Sequence, residues 1–313
     1  MKLKKNDFLV SLIVPVYNEE KNILPFLNRL KPILNQYQSE IIFVDDGSSD
    51  TSISLLKQEA AKNHQLKVIS FYRNFGHQKA LSCGYQFAKG DCVISMDADL
   101  QDPPEIIPSM IDQWQKGAKV VYAKRSTREV DSFFKQQTAN LFYRFINFLS
   151  DTPIPNNVGD YRLLDREVVN FINLLPEQAR FLRGLVAWGN YPSEYVYFKR
   201  EKRFAGKTNY TLSKMINFAL DGIISFSVKP LKIASYFGFA SAGLGFLGIV
   251  YAVLGRIFLP RYWVTGWTAL FVGIMFLGGI QLLTIGIIGE YIGRIYQEIQ
   301  HRPHYLIKEK INL

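Results

Sequence analysis

Residues 93–105 read Val93-Ile94-Ser95-Met96-Asp97-Ala98-Asp99-Leu100-Gln101-Asp102-Pro103-Pro104-Glu105. A short apolar run bounded by a polar cluster has the pattern of a buried strand, and the carboxylates begin where that strand ends. In open α/β sheets, ligands bind outside the carboxyl ends of the strands. Pro103 and Pro104 cannot extend a strand but suit the first turn of a helix, with Asp102 as its expected N-cap. Asp97 and Asp99 repel each other, and no cation stands beside them in the sequence. A divalent metal resolves that conflict, because Mg²⁺ and Mn²⁺ take hard oxygen ligands and often also carry substrate phosphates. A solvated acidic loop is the competing reading, and the rest of the chain decides between them.

Upstream, the same pattern recurs. Leu9 to Val16 reads as a strand ending in Pro15-Val16-Tyr17-Asn18-Glu19-Glu20. Ile23, Phe26, Leu27, Leu30, Ile33 and Leu34 then follow helical spacing. Ile41 to Val44 ends in Asp45-Asp46-Gly47-Ser48-Ser49-Asp50, and a helix carries Ile53 to Ala60. Leu66 to Phe71 ends in Arg73-Asn74-Phe75-Gly76-His77, followed by a helix from about Gln78 to Ala88. Cys92 to Met96 leads into the acidic cluster, and Lys119 to Ala123 ends at Lys124-Arg125. Strands alternating with helices imply βαβ units and a mostly parallel sheet. Right-handed crossovers would gather the polar strand ends along one edge. That edge would hold Tyr17, Glu19, Asp45, Asp46, Asn74, Lys79, Asp97, Asp99 and Arg125. An acidic rim with a few cations suits a metal-bound nucleoside diphosphate. No G-x-G-x-x-G follows any of these strands (the one match, Gly243 to Gly248, lies in an apolar stretch far downstream) and no G-x-x-x-x-G-K-[ST] stretch is present, so the usual dinucleotide and P-loop readings lack support.

The 313 residues are enough for a sizeable core, and the net charge of +10 favours anionic partners. Nucleic acid is not the expected one, because the basic residues cluster beside apolar segments. Cys83 and Cys92 form no disulfide framework and no zinc spacing, which fits a reducing compartment. Met1-Lys2-Leu3-Lys4-Lys5 before an apolar run has the outline of a signal peptide. Pro15 interrupts the run and no small-residue cleavage site follows, so a strand is the better reading.

The last third differs in character. Phe133 to Leu149 reads as an aromatic-rich helix, and Asp160 and Arg162 alternate with apolar residues as on a short strand, where a local ion pair is the competing reading to a functional one. After Arg180-Phe181-Leu182-Arg183-Gly184 and a strand from Glu194 to Phe198, the chain packs Lys199, Arg200, Lys202, Arg203 and Lys207 together. An amphipathic helix through Leu212, Met215, Ile216, Ala219, Leu220, Ile223 and Ile224 follows. Its place between basic and apolar segments favours the membrane surface over a core. Ile233 to Gly255 and Trp267 to Gly289 carry no charge. At ~1.5 Å per residue each spans roughly 34 Å, enough for a bilayer core. Lys229 and Lys232 before them, and Arg294, Arg302, Lys308 and Lys310 after, put both termini in the cytoplasm by the positive-inside bias.

Pro15-Val16-Tyr17-Asn18-Glu19-Glu20, Val44 to Asp50, Asn74-Phe75-Gly76 and Asp97-Ala98-Asp99-Leu100-Gln101-Asp102-Pro103 together resemble family 2 glycosyltransferases. Gly159-Asp160-Tyr161-Arg162-Leu163 and Arg203-Phe204-Ala205-Gly206-Lys207-Thr208-Asn209-Tyr210 resemble motifs of the polyisoprenyl-phosphate subgroup, which includes dolichol-phosphate mannose synthase and the bactoprenol glucosyltransferases. The two apolar spans are most similar to the bacterial glucosyltransferase branch. One departure is Asn156-Asn157, where many relatives have an acidic residue nearby.

The resemblance implies an α/β GT-A fold: a Rossmann-like, mostly parallel sheet, then an interfacial amphipathic helix and two transmembrane helices. The expected divisions are a cytoplasmic catalytic domain over 1–205, the interfacial helix over 206–230, a membrane hairpin over 231–293 and a cytoplasmic tail over 294–313. It implies an inverting transfer of one hexose, glucose from UDP-glucose, onto undecaprenyl phosphate at the cytoplasmic face of the inner membrane. GDP-mannose is the alternative donor. By motif, Pro15, Tyr17, Glu19, Asp45, Asp46, Lys79, Asp97 and Ala98 would hold the nucleotide sugar. Asp97, Asp99 and Gln101 would hold Mg²⁺ or Mn²⁺, and Arg125, Arg128 and Arg203 the acceptor or donor phosphates. Asp97, Asp99 and Asp160 are the expected catalytic set, and a homo-oligomer, possible as a tetramer, is the expected assembly. The acceptor phosphate is already ionised, so no strong general base is needed and Asp160 is expected to orient. A non-catalytic nucleotide-binding export subunit is the rival reading. A processive synthase would carry Q-x-x-R-W, and Gln178-Ala179-Arg180-Phe181 is not that motif.

Overall fold

Strand β1 (Leu9–Val16) is buried on both faces, which is why its apolar residues do not alternate with polar ones. Val10, Leu12 and Val14 pack with α1 (Glu20–Leu34) on one side, and Ile13 joins α3 (His77–Phe87) on the other. The structure, a computed structural model, describes residues 7–126, 158–199, 201, 227–258 and 266–313. Four strands run parallel: β1, β2 (Gln38–Asp45), β3 (Leu66–Phe71) and β4 (Cys92–Ser95). The crossovers between them are α1, α2 (Ser52–Lys62) and α3.

A 3₁₀ turn (Pro104–Ile106) and α4 (Ile107–Gln115) lead to β5 (Val120–Arg125). Then come β6 (Val158–Asp165), α5 (Arg166–Leu174), α6 (Leu182–Trp188) and β7 (Ser193–Phe198). The strand order is β7-β5-β6-β4-β1-β2-β3-β8, with β8 being Ile307–Ile311. β7 is parallel to β5, whereas β6 is antiparallel to both β4 and β5. The sheet is therefore mostly parallel, as expected. The reversal of β6 brings its first residues to the edge where β1 to β5 end.

One local expectation is corrected. Asp102 does not cap the helix: Pro103 sits extended at the cap position (φ −73°, ψ 123°) and Pro104 opens the 3₁₀ turn. Proline has no N–H to satisfy at a first helical position, so the start needs no side-chain cap.

Near its C-terminus the chain forms α7 (Lys229–Phe258) and α8 (Trp267–Ile299). Among the described residues one stretch, Val272–Ile299 of α8, is long and apolar enough to cross a membrane. Large apolar side chains on it, including Val272, Leu282 and Ile285, are exposed. The other expected span, Ile233 to Gly255, lies within α7 and is helical. Beyond α8, β8 pairs antiparallel with β3, Tyr305 stacks on Phe71 at 4.9 Å, and Asn312 donates to the carbonyls of Ala60 (2.9 Å) and Leu66 (3.0 Å). The expected helix over 133–149, the amphipathic helix over 212–224, Asn156-Asn157, Arg128, and all of the basic run except Lys199 lie outside the described residues.

Candidate active site

The loops after β1 and β2 are locked together. Asn18, in the left-handed region (φ 55°), donates its amide to Ser48 Oγ (3.0 Å) and accepts from the Ser49 amide (2.8 Å). The Glu19 amide donates to Ser52 Oγ (3.0 Å). Asp45 accepts from the Ser48 amide (3.1 Å) and Ser70 Oγ (2.8 Å), and Asp46 from the amides of Phe75 (2.7 Å) and Gly76 (2.9 Å). Burial, with Asp45 adjacent, pushes the Asp46 carboxyl up despite those two amides. Gly47 adopts φ +68°, and a Cβ there would lie 2.4 Å from the Arg73 carbonyl carbon, so only glycine fits. Tyr17 is exposed at the rim, and Pro15 lies within β1 opposite Val44 of β2.

The acidic centre forms where β4 ends. Ala98 and Asp99 are buried, and Asp99 Oδ1 accepts from the Gln101 amide (3.1 Å) across Leu100, which takes φ 60°. Asp97 is more open, with 44% of its side chain exposed. Although that side chain is open, the protein groups crowded round the carboxyl strip water from it and, with the charges of Asp160 and Asp99, push it up against the pull of His77 and Arg183.

Asp160, third residue of β6, faces it. Its Oδ1 accepts from Arg162 Nη2 (2.8 Å) and Arg183 Nε (3.1 Å). Its Oδ2 accepts from Arg183 Nη2 (2.9 Å) and Gln78 Nε2 (3.0 Å). Its backbone carbonyl accepts from Ser95 Oγ (2.5 Å), which in turn accepts from Tyr85 Oη (2.9 Å). Burial disfavours the Asp160 charge, but Arg183, His77 and Arg162 outweigh it and hold the carboxyl well below its ordinary value.

His77, at the start of α3, stands between the two carboxylates. Its Nε2 is 3.6 Å from Asp97 Oδ1 and 3.4 Å from Asp160 Oδ2. Burial opposes its charge, yet Asp97 and Asp160 raise its pKa to about 9. His77, Gln78 and Arg183 were not singled out as site residues by sequence reasoning. His77 and Gln78 directly follow the Asn74-Phe75-Gly76 motif. Arg183 was legible only as part of Arg180-Phe181-Leu182-Arg183-Gly184.

The structure thus brings Asp97, Asp99, Gln101 and Asp160 to one edge. Lys79, half-buried, lies one position past Gln78 on α3. Arg125 ends β5 beside Gly159, where a Cβ would lie 3.7 Å from its Nη2. Gln101 Nε2 also lies 3.5 Å from the Glu201 carbonyl. Arg128 and Arg203 lie outside the described residues.

Asp97 and Asp99 offer hard oxygen donors, and the opposed charge on Asp97 favours a cation, so the donor set fits Mg²⁺ or Mn²⁺. Among the described residues no group of three or more His, Cys, Asp or Glu side chains is arranged to hold a metal ion. A dication here would therefore take further ligands from phosphate and water, the habit of Mg²⁺ at phosphate-bearing substrates.

The sequence pattern of Glycosyl transferase family 2 matches residues 11–172. The chain belongs to this family. That span runs from β1 into α5 and includes Asp97, Asp99 and Asp160. Among relatives of this glycosyltransferase, the bactoprenol glucosyl transferase of Shigella phage SfV is 43% identical over 96% of this chain and 98% of its own. The uncharacterized glycosyltransferase YkcC of Bacillus subtilis is 44% identical over 97% of this chain and 94% of its own. Among solved structures, glucosyl-3-phosphoglycerate synthase from Mycobacterium tuberculosis, in complex with Mn²⁺, UDP-glucose and phosphoglyceric acid, is 18% identical. It covers 69% of this chain and 78% of its own, with a TM-score of 0.48.

Proposed function

We propose that this glycosyltransferase moves a single hexose, glucose from UDP-glucose, onto a polyisoprenyl phosphate, undecaprenyl phosphate, at the cytoplasmic face of the inner membrane. The observation that carries the reading is the junction of Asp97, His77 and Asp160 at the sheet edge, with Asp160 gripped by Arg162 and Arg183. The full-length likeness to bactoprenol glucosyl transferases supports the acceptor and the sugar.

In this reading Pro15, Tyr17, Glu19, Asp45, Asp46, Lys79 and Ala98 line the nucleoside-sugar side. Asp97, Asp99 and Gln101 hold Mg²⁺ or Mn²⁺, which when bound neutralises charge on the diphosphate leaving group. Arg125, Arg128 and Arg203 bind phosphate. Asp160 stays ionised and works by orientation, since the acceptor oxygen needs no deprotonation. The arginines on Asp160 fix its geometry and hold it ionised beside His77.

The two C-terminal helices form a hairpin in the bilayer. The sheet lies before α7 and again after α8, so a hairpin of two crossings returns the chain to the side it left. Residues 206–230 lie at the membrane surface, and copies of the chain associate as a homo-oligomer.

The test is transfer of label into lipid. Full-length protein is mixed with undecaprenyl phosphate, Mg²⁺ and radiolabelled UDP-glucose or GDP-mannose in parallel, with Asp99→Ala as control. Label entering the lipid phase from UDP-glucose, and lost in the variant, supports the reading. Label from GDP-mannose alone replaces the sugar. Nucleotide binding without transfer from either donor would favour the export-subunit alternative.

A further inference from the structure

Glu298 lies in the last turn of α8, at the negative end of the helix dipole, where a carboxylate is disfavoured. Its position is explained by what it touches. Gln178 donates its backbone amide to both carboxylate oxygens (2.8 and 3.0 Å), and the Ala179 amide approaches Oε1 at 3.4 Å. Consecutive amides turned onto one anion form a small nest, and hydrogen bonds to a charged acceptor are stronger than neutral ones.

The strand of chain so held runs straight to the active site. Arg180 anchors it inward, donating to the carbonyls of Leu175 (2.7 Å) and Ile172 (3.1 Å). The Leu182 amide donates to Gln78 Oε1 (3.2 Å), and the same Gln78 donates from Nε2 to Asp160. Leu182 offers its carbonyl to Arg162 Nη1 (3.4 Å), and Arg183 then closes on Asp160 with two hydrogen bonds. Residues 178–183 are therefore bound at one end to α8 and at the other to the acidic centre. No part of this strap falls within residues 11–172, the span matched by the family pattern.

We propose that Glu298 is a positioning residue: through the amides of Gln178 and Ala179, helix α8 sets the placement of Arg183 on Asp160. The long apolar helix is then part of the active-site scaffold as well as an anchor. This rests on the transfer reading above for its kinetic consequence, but not for its structural one.

The test uses the full chain in lipid nanodiscs. Glu298→Gln keeps the shape and removes the charge. The expected result is a kcat lower by roughly tenfold with the donor KM within about twofold, since misplacement of a positioned group acts on the chemical step. Combined with Arg183→Ala, the effects should be less than additive, because both act through one contact. Glu309→Gln, on β8 and paired with Lys57, is the control and leaves kcat unchanged. Amide hydrogen exchange over residues 178–183 should quicken in Glu298→Gln while exchange in β1 and β4 does not change. Unchanged exchange in 178–183 overturns the proposal whether or not the protein transfers sugar. Quickened exchange with unchanged kcat in an active enzyme overturns it as well, leaving a purely local contact. Absence of transfer by the unmodified protein would count against the transfer reading alone, and the exchange result still decides the coupling.

Discussion

Arg162 is fully buried, and its Nη2 lies 2.8 Å from Oδ1 of Asp160, two positions earlier on the same strand. Residues two apart on a strand share a face, so the pair is built into β6 itself. Removing one member of a buried pair leaves the other charge uncompensated, which typically costs about 3–5 kcal/mol. Arg162→Met is therefore expected to lower unfolding free energy by that order, read from urea denaturation in detergent. Arg183→Ala, at a partly exposed cation, should lower stability far less. An Arg162→Met protein as stable as the unmodified one would mean that Arg183 alone satisfies Asp160.

Asp97 and Asp99 lead to a prediction about metal. Chelation should abolish transfer, and adding back Mg²⁺ or Mn²⁺ should restore it. Asp99→Asn should lose at least about 10²-fold in kcat, the scale of removing one electrostatic stabiliser. Mn²⁺ binding followed by paramagnetic resonance should weaken in the same variant, a readout independent of turnover. Full activity in excess chelator would remove the dication from the site.

Gly47 offers a test of the scaffold under Asp45 and Asp46. With φ +68° and Arg73 backbone 2.4 Å from any Cβ, Gly47→Ala must move the turn that carries both carboxylates. A strained backbone position of this kind costs on the order of 1–3 kcal/mol, and the clash adds to it. The expected outcome is lower thermal stability together with weaker nucleotide binding by calorimetry. Gly117→Ala, at positive φ but with no atom within 4 Å, should destabilise without weakening nucleotide binding.

Glu40 sets a pH dependence away from the active site. It accepts from Ser11 Oγ (2.5 Å), the Lys89 amide (2.7 Å) and Lys67 Nζ. Burial opposes its charge, but these partners prevail and hold the carboxyl below its ordinary 4.5. A group with a depressed folded pKa adds stability that is present above the unfolded pKa and is lost as pH falls through the folded one. The melting temperature should therefore fall as pH drops below 4.5. Glu40→Gln should be less stable at pH 7 and lose less over that interval.

Strands β1 and β3 were legible to the residue, because each is a mostly apolar run closed by polar residues. β2 begins earlier than its apolar run, at Gln38, because Glu40 is buried as a pair with Lys67 and polarity there does not mean exposure. β8 was not legible: Ile307-Lys308-Glu309-Lys310-Ile311 has the charges of an edge strand, and nothing in those five residues points to a sheet far earlier in the chain. The carboxylates of the acidic centre could be read from local sequence. Arg162 could be read as an ion-pair partner of Asp160 two positions away, but His77 and Arg183 could not, because they reach Asp160 only through the reversed direction of β6, and strand direction is a property of the whole sheet.

The five residues of β8 also fix an order of events. The sheet edge at β3 stays open until the last part of the chain has been made, after α7 and α8 have already left the ribosome. In a chain synthesised from its N-terminus, a pairing of such long sequence separation forms last. If α8 crosses the bilayer and exits on the wrong side, β8 is delivered where β3 is not, and the sheet cannot close. With the proposed hairpin in the bilayer, completion of the sheet would report on correct insertion, and a misinserted copy would be left with an unpaired strand edge, the kind of surface that exposes a protein to aggregation and degradation.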